Sequence, residues 1–503
     1  MNEMTTVSYQ QHAYSDTAQK LLARKPALFI NGEWVASSHD KLIEVEDPSS
    51  GKVVSHIVDA SVADTDRAVA AARAAFDDGR WSGLPPIVRE KAMLRLADLI
   101  EAHGDELAEL EAIDVGKPKT MAGAVDIPGA VSHIRYMAGW AAKIGGETVP
   151  PYTMPGGTVF SYTVKEPVGV CAQIVPWNFP LLMACLKIGP ALAAGCTVIL
   201  KPAEQTSLTA LRLADLVAQA GIPAGVVNVI TGYGHVSGDR LAKHPDVDKI
   251  AFTGSTEIGK LINKNATDTL KHVTLELGGK SPVLVLPDVD PAQAGPGAAG
   301  AIFFNSGQVC VAGSRLYAHK SVFDEVLENI ANTAPFWAPR PSLDPAGHMG
   351  PLVSKEQFDR VMGYIEAGKR DGASVAMGGD APSADGHYVN PTVLVNVNPQ
   401  MSVVREEIFG PVVVAQRFED LDEVAKEANN TCYGLAAGIW TKDASSFHKL
   451  ASKLKAGTVW GNCHAMIDVA LPFGGYKESG VGREQGRAGI EAYLDTKSVI
   501  LQL

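Results

Sequence analysis

Apolar positions along this chain fall into three regimes. Over 62–77, 86–103 and 105–115 they recur every three or four residues, which predicts three amphipathic helices. Residues 1–25 ahead of them read as a loose arm. The run ALFINGEWV and the turn at 47–51 predict a small strand hairpin across 27–54. Residues 143–165 (KIGGETVPPYTMPGGTVFSYTVK) alternate and are rich in Pro, Gly, Thr and Tyr, predicting an extended β-hairpin that projects towards a partner subunit. From 168 onward short apolar runs alternate with helical ones: strands at 168–175, 197–200, 226–230, 249–252 and 273–276, helices at 181–194, 207–220 and 257–266. Such alternation predicts a parallel sheet covered on both faces, with ligands at the carboxyl ends of its strands. A second α/β unit runs from 276 to about 480, with helices at 321–332 and 355–370 and strands at 393–397 and 412–417. The tail at 498–503 reads as a terminal strand paired with the 143–165 hairpin of another subunit.

Composition narrows the class. The 503 residues suffice for two to four domains, and 46% hydrophobic with 20% charged residues is the balance of a globular chain. A net charge of −12 argues against nucleic acid or an anionic membrane as partner. The six Cys form no CxxC pair and no metal-ligand spacing, so reduced thiols, no metal and a reducing, cytoplasmic setting are expected. The first twenty residues are polar and lack the apolar core of a signal peptide. Residues 167–200 carry one charge, Lys187, yet Pro176, Pro180 and Pro190 cut them into pieces too short for a membrane span, so they read as buried core.

Chemistry concentrates between 272 and 315. Glu276 ends an alternating apolar run just before Gly278-Gly279, and Cys310 follows FFNSGQ among small residues that would let a substrate approach. Alone, a Cys in an apolar stretch packs as a small hydrophobe, and a Glu before a glycine pair is ordinarily a solvated turn residue. Together, a thiol nucleophile and a carboxylate base are the parts of covalent catalysis through a thioester. Asn178, in the PWNFP turn, can donate from its amide to an oxyanion, with the Cys310 backbone N–H as second donor. The run FTGSTEIG (252–259) turns from strand to helix through Gly254 and Ser255, which suits a phosphate at the helix N-terminus or a plain N-cap. GYGHVSG, beginning with Gly232 and Gly234, has one residue too many for a Rossmann fingerprint. Lys201 and Glu204, beyond a strand end, are placed to bond ribose hydroxyls. A carboxylate there favours NAD over NADP by repelling a 2′-phosphate, whereas the bland alternative is a surface ion pair. Glu407 and Phe409 offer an acid and an aromatic ring suited to a ribose and a nicotinamide.

Seven of these motifs in one order, PWNFP, KPAE, FTGSTEIG, ELGGKSP, GQVCVAGSR, EEIFGPV and PFGGYKESGVGRE, resemble the NAD(P)-dependent aldehyde dehydrogenase family from about residue 28 to the end. The segment from Cys463 to Gly475 is most similar to its phenylacetaldehyde dehydrogenases. The resemblance implies an α/β fold with a Rossmann-like cofactor domain (1–142 and 166–275), an α/β catalytic domain (276–482) and an oligomerisation element (143–165 and 483–503), in a homo-oligomer, a tetramer in preference to a dimer. It makes Cys310 the nucleophile, Glu276 the base and Asn178 the oxyanion donor. Trp177, Lys201, Glu204, Gly234, Gly254, Ser255, Glu407 and Phe409 would hold NAD. Lys187 and Glu484 would move protons from the base, or else form a buried structural pair. Phe179, Leu182, Met183, Leu186, Phe304, Ile467 and Phe473 would line an apolar channel for the aldehyde, with no cation to hold a carboxylated substrate. The competing expectations are a broad-specificity aliphatic or semialdehyde dehydrogenase, a CoA-acylating relative, which would have little need of Glu276, and a non-catalytic binding protein, which would need neither Cys310 nor Glu276. A cysteine hydrolase is disfavoured because no His motif partners Cys310.

Overall fold

A computed structural model describes residue 9 and residues 11–503. Its centre is an eight-stranded sheet in which five consecutive strands, in spatial order His272–Glu276, Lys249–Thr253, Val170–Ile174, Thr197–Lys201 and Val227–Val229, run parallel. Four of the five are buried along their whole length with no alternation, as expected where helices cover both faces and β-branched side chains fill the pleat. A seven-stranded, mostly parallel sheet forms the second unit, with Pro282–Val285, Arg315–His319 and Val412–Phe418 near its middle. The mixed α/β architecture expected from the alternating pattern is the one observed.

The chain crosses back between the two units. Gly480–Val481 returns to pair antiparallel with Leu275 and Glu276 at the edge of the first sheet. Leu277 N donates to Ser479 O at 3.0 Å, and Ser479 Oγ donates to Gly278 O at 2.6 Å, so the glycine pair after Glu276 is held from the far end of the sequence.

Several local expectations need correction. Part of the supposed arm is a helix, Asp16–Leu22, started by the Ser15 hydroxyl accepting from Ala18 N; residues 1–8 and 10 lie outside the described residues. The single hairpin expected at 27–54 is two. Leu28–Ile30 and Glu33–Val35 extend the first sheet, while Leu42–Asp47 and Lys52–Val58 form a separate ribbon. Two helices beside the site, Ile127–Ala138 and Pro291–Phe303, were not anticipated. The second is rich in Ala and Gly, so its buried stripe lacks the bulky side chains that reveal a period. The tail is not donated to another subunit: Leu494–Gln502 pairs with Gly157–Pro167 of its own chain, from Leu494 opposite Pro167 to Gln502 opposite Val159. With Thr148–Met154 they make a three-stranded sheet whose outer strands are largely exposed.

Candidate active site

A cavity of about 510 Å³ opens between the two units. The carboxyl ends of three first-sheet strands deliver Trp177-Asn178, Thr253-Gly254-Ser255 and Glu276 to it, and the second unit delivers Cys310, Glu407 and Phe409.

Cys310 sits on an unusual turn. After the helix Pro291–Phe303 the backbone takes left-handed angles at Asn305, Ser306 and Gly307 in succession (φ 48, 55 and 71). Each of the two non-glycine residues costs on the order of 1 kcal/mol there, so the turn persists because its surroundings hold it. Asn305 Nδ2 donates to the Asn178 carbonyl at 3.1 Å, Ser306 Oγ to Gly350 O at 2.8 Å, and Val353 N to Gln308 Oε1 at 3.0 Å. Glycine at 307 is obligatory, because a Cβ would lie 2.0 Å from Gly410 O. Gly279 plays a similar part: a Cβ on it would meet the Cys310 carbonyl at 2.4 Å, so the glycine pair after Glu276 lets the two reactive segments approach.

Asn178 is buried and donates from Nδ2 to Gln308 O at 2.8 Å. That bond uses one amide hydrogen and orients the group; the second remains for a ligand. Glu276 is buried on the same cavity wall, and among the described residues its Oε2 has no hydrogen-bond partner. Burial first, and then the Glu484 carboxylate, hold its pKa well above the usual range, while Lys187 and Arg483 oppose this. A buried carboxyl in a cleft with a free oxygen is a candidate acid–base group. Burial, with the Glu407 and Glu276 carboxylates, pushes the Cys310 thiol up to about 12, so the thiol is neutral at pH 7 and must lose a proton to react. Lys187 is fully buried and ion-paired with Glu484; only Glu484 reaches the cavity wall.

The proposed cofactor residues divide. Trp177, Gly254, Ser255, Glu407 and Phe409 line the cavity, with the Trp177 and Phe409 rings edge-on at 5.1 Å. Ser255 is an N-cap, accepting from Ile258 N at 3.3 Å, and heads the helix Thr256–Ala266 at the cavity. Glu407 Oε1 accepts from Gly279 N at 2.9 Å, and burial raises its pKa to about 7. Lys201 and Glu204 pair at 3.6 Å at the neighbouring strand end, outside the cavity wall. Gly234 is exposed and also outside it; a Cβ there would touch nothing within 4 Å, so nothing in its surroundings requires glycine. Orphan donors and acceptors fit an anionic, polyhydroxylated ligand at this end: the free amides of the helix N-terminus and the buried, unpartnered Thr253 Oγ1.

All seven apolar channel residues line the other end. The rings of Phe179 and Phe304 are stacked at 6.2 Å with 27° between planes. One cation, Arg360, lines the cavity, and it donates to the Glu407 carbonyl at 2.9 Å, on the Glu407–Phe409 side and not among the seven channel positions. Sequence reasoning missed Val125, which reaches the wall from a π-helical turn (Ala122–Asp126) fifty residues before the PWNFP turn. It also missed His464, which lies outside the cavity wall but whose Nε2 donates to Val311 O at 2.7 Å, one residue beyond Cys310. The π-turn is the only advance signal for Val125, and it is not visible in residue types.

The fold and this constellation, a thiol and a buried carboxyl facing one cleft between two α/β units, define the class that comparison with known proteins identifies. The aldehyde dehydrogenase family model matches residues 34–499, and the chain belongs to that family, as an NAD-dependent aldehyde dehydrogenase. It is 48% identical to a phenylacetaldehyde dehydrogenase of Pseudomonas fluorescens, over 94% of this chain and 95% of the relative. It is 47% identical to a mitochondrial benzaldehyde dehydrogenase of Antirrhinum majus, over 95% and 89% respectively. Among solved structures, an NAD+ complex of an aldehyde dehydrogenase from Bacillus cereus superposes with a TM-score of 0.95 at 45% identity, covering 98% of this chain and all of that one. An indole-3-acetaldehyde dehydrogenase from P. syringae, in complex with NAD+ and IAA, gives 0.93 at 42% identity, covering 97% and 99%.

Proposed function

We propose that the protein oxidises aromatic aldehydes of the phenylacetaldehyde type to their carboxylic acids. The observation that carries this reading is the aromatic, cation-free end of the cavity beside Cys310, walled by Phe179, Phe304 and Phe473. Names of similar proteins, a phenylacetaldehyde and a benzaldehyde dehydrogenase, support it.

In this reading the Cys310 thiol passes its proton to the Glu276 carboxylate, which hands it on before the hydrolytic step, and the sulfur bonds the carbonyl carbon, turning the carbonyl oxygen into an alkoxide. The spare Asn178 amide hydrogen and the Cys310 N–H hold that charge. NAD, when bound, accepts the hydride. Loss of the hydride leaves a thioester on Cys310. Glu276 takes a proton from water as its oxygen adds to the thioester carbon; the C–S bond breaks, the thiol is regenerated and the acid departs. Ser255 and the Thr256–Ala266 N-terminus would hold the pyrophosphate, Glu407 a ribose, and Trp177 and Phe409 the ring end. Lys201 and Glu204 would bond the adenosine ribose, Glu204 favouring NAD over NADP by repelling a 2′-phosphate. Glu484 and Lys187 would take the proton onward from Glu276.

Burying a phenyl ring in this channel is worth roughly 2–3 kcal/mol, about thirty- to a hundredfold in binding. Phenylacetaldehyde should therefore exceed acetaldehyde in kcat/KM by about that ratio. Succinic semialdehyde should be poor, because its carboxylate would be desolvated without a partner. NADH formation across an aldehyde panel tests this, and a preference for succinic semialdehyde would sink the aromatic reading.

A further inference from the structure

Behind the aromatic wall lies a charged cluster that the chemistry above does not use. The helix Gly104–Val115 ends at Gly116 (φ 81), and Lys117 follows with its side chain wholly buried. Its Nζ is ion-paired with Asp126, lies 3.5 Å from Glu111 Oε2, and sits 3.9 Å from the centroid of the Phe179 ring. Both carboxylates are also wholly buried.

Each member of the cluster touches an element of the site. Glu111 Oε1 accepts from Leu181 N at 3.0 Å. Leu181 carries the first free amide of the helix Pro180–Ala194: Pro180 has no N–H, and the preceding Phe179 brings no side-chain cap. Glu111 thus closes the end of the turn that bears Asn178. Asp126 ends the π-helical turn whose Val125 lines the cavity. One turn beyond Glu111, Asp114 accepts from Leu208 N at 3.0 Å, at the head of the helix that follows Lys201 and Glu204. A buried ion cluster is a poor way to gain stability, since apolar side chains of the same volume often do as well or better. This one lies under two of the turns that carry functional side chains.

We infer that Lys117 is a positioning residue of the aldehyde site: its ammonium holds the Phe179 ring by a cation–π contact, and with Glu111 it fixes the turn carrying Asn178. An aromatic ring at a channel wall has few other polar features by which to be oriented, and a desolvated cation over its face supplies one. Phe179 stacks with Phe304, so the orientation of the first ring sets the width of the slot between them. The inference deepens the aromatic-substrate reading and rests on it for the choice of substrate.

Replacing Phe179 by phenylalanines bearing one, two and three ring fluorines tests it with little change of volume, because fluorine progressively drains the negative face that attracts the cation. Across the series kcat/KM for phenylacetaldehyde should fall stepwise, by about tenfold in total, through KM more than kcat, with KM for NAD unchanged. The same series at Phe304, over whose ring no cation sits among the described residues, should be nearly flat. A flat series at 179, or equal falls at both positions, overturns the inference. Lys117→Met, where it folds, should flatten the 179 series; a series that still falls in that background overturns the inference as well. Failure of the aromatic reading is separable. It would appear in the unfluorinated enzyme as a preference for an aliphatic or carboxylated aldehyde, and the series is then scored on that aldehyde.

Discussion

At the scale of single residues, the site is a set of groups held away from their ordinary ionisation. Glu276 has a buried, unpartnered oxygen and a pKa raised chiefly by burial and then by Glu484. A carboxyl acts as a base only once ionised, so the step it serves is suppressed below its raised pKa and recovers as pH climbs through it. Single-turnover thioester hydrolysis should therefore accelerate with rising pH, over a range displaced upward from that of an ordinary glutamate. Glu276→Gln should abolish that acceleration and leave a slower burst of about one NADH per subunit followed by slow turnover. A wild-type rate independent of pH would assign water activation to another group. Lys187 and Glu484 form a buried pair in contact with this titration, which makes the structural and proton-moving readings of the pair compatible.

At the scale of elements, the decisive device is the left-handed turn before Cys310. Asn305 holds φ 48 while its amide ties the Cys310 turn to the Asn178 turn, so one residue links the two. Asn305→Ala loses those bonds and keeps the backbone strain. It should cost roughly 2–3 kcal/mol of stability. Asn305→Gly loses the same bonds but relieves the strain, and should cost about 1 kcal/mol less than the alanine variant. Denaturant unfolding of the two variants checks the order; equal losses would mean that strain at 305 is not being offset by the amide. Neither the turn nor its strain is readable from FFNSGQVC, which supplies only the asparagine and glycine that tolerate such angles.

At the scale of the whole molecule, the terminal strand belongs to its own chain, and this changes the reason for expecting an assembly without removing it. The sheet of Thr148–Met154, Gly157–Pro167 and Leu494–Gln502 exposes Val149, Tyr152, Met154, Ile500, Leu501 and Leu503, and among the described residues both of its outer strands present free edges. Exposed apolar strands with open edges call for cover, and a second copy of the chain, in a tetramer, is the cover we propose. Deleting residues 498–503 removes part of the central strand's pairing and three of those side chains. It should shift sedimentation towards smaller species; an unchanged mass would locate the subunit contact elsewhere. Among the described residues no helix is long and apolar enough to cross a membrane.

The five strands from 168 to 276 and the three longer helices among them, the carboxyl-edge location of Asn178, Ser255 and Glu276, and the pairing of a thiol with a carboxylate were determined by local features of the sequence; the short helix Asp239–Lys243 was not. Period, glycine position and residue type act over a few neighbours, and those neighbours are adjacent in the chain. Tertiary structure alone decided which distant segments meet. Lys117 reaches Phe179 across sixty residues, Gly480–Val481 returns beside Glu276 across two hundred, and the tail closes on its own hairpin rather than a partner's. An isolated strand states that its edge must be paired but not with what, and a buried Lys has no signature until its carboxylates are packed against it. Burial and loop closure choose among such partners, and both are properties of the folded chain.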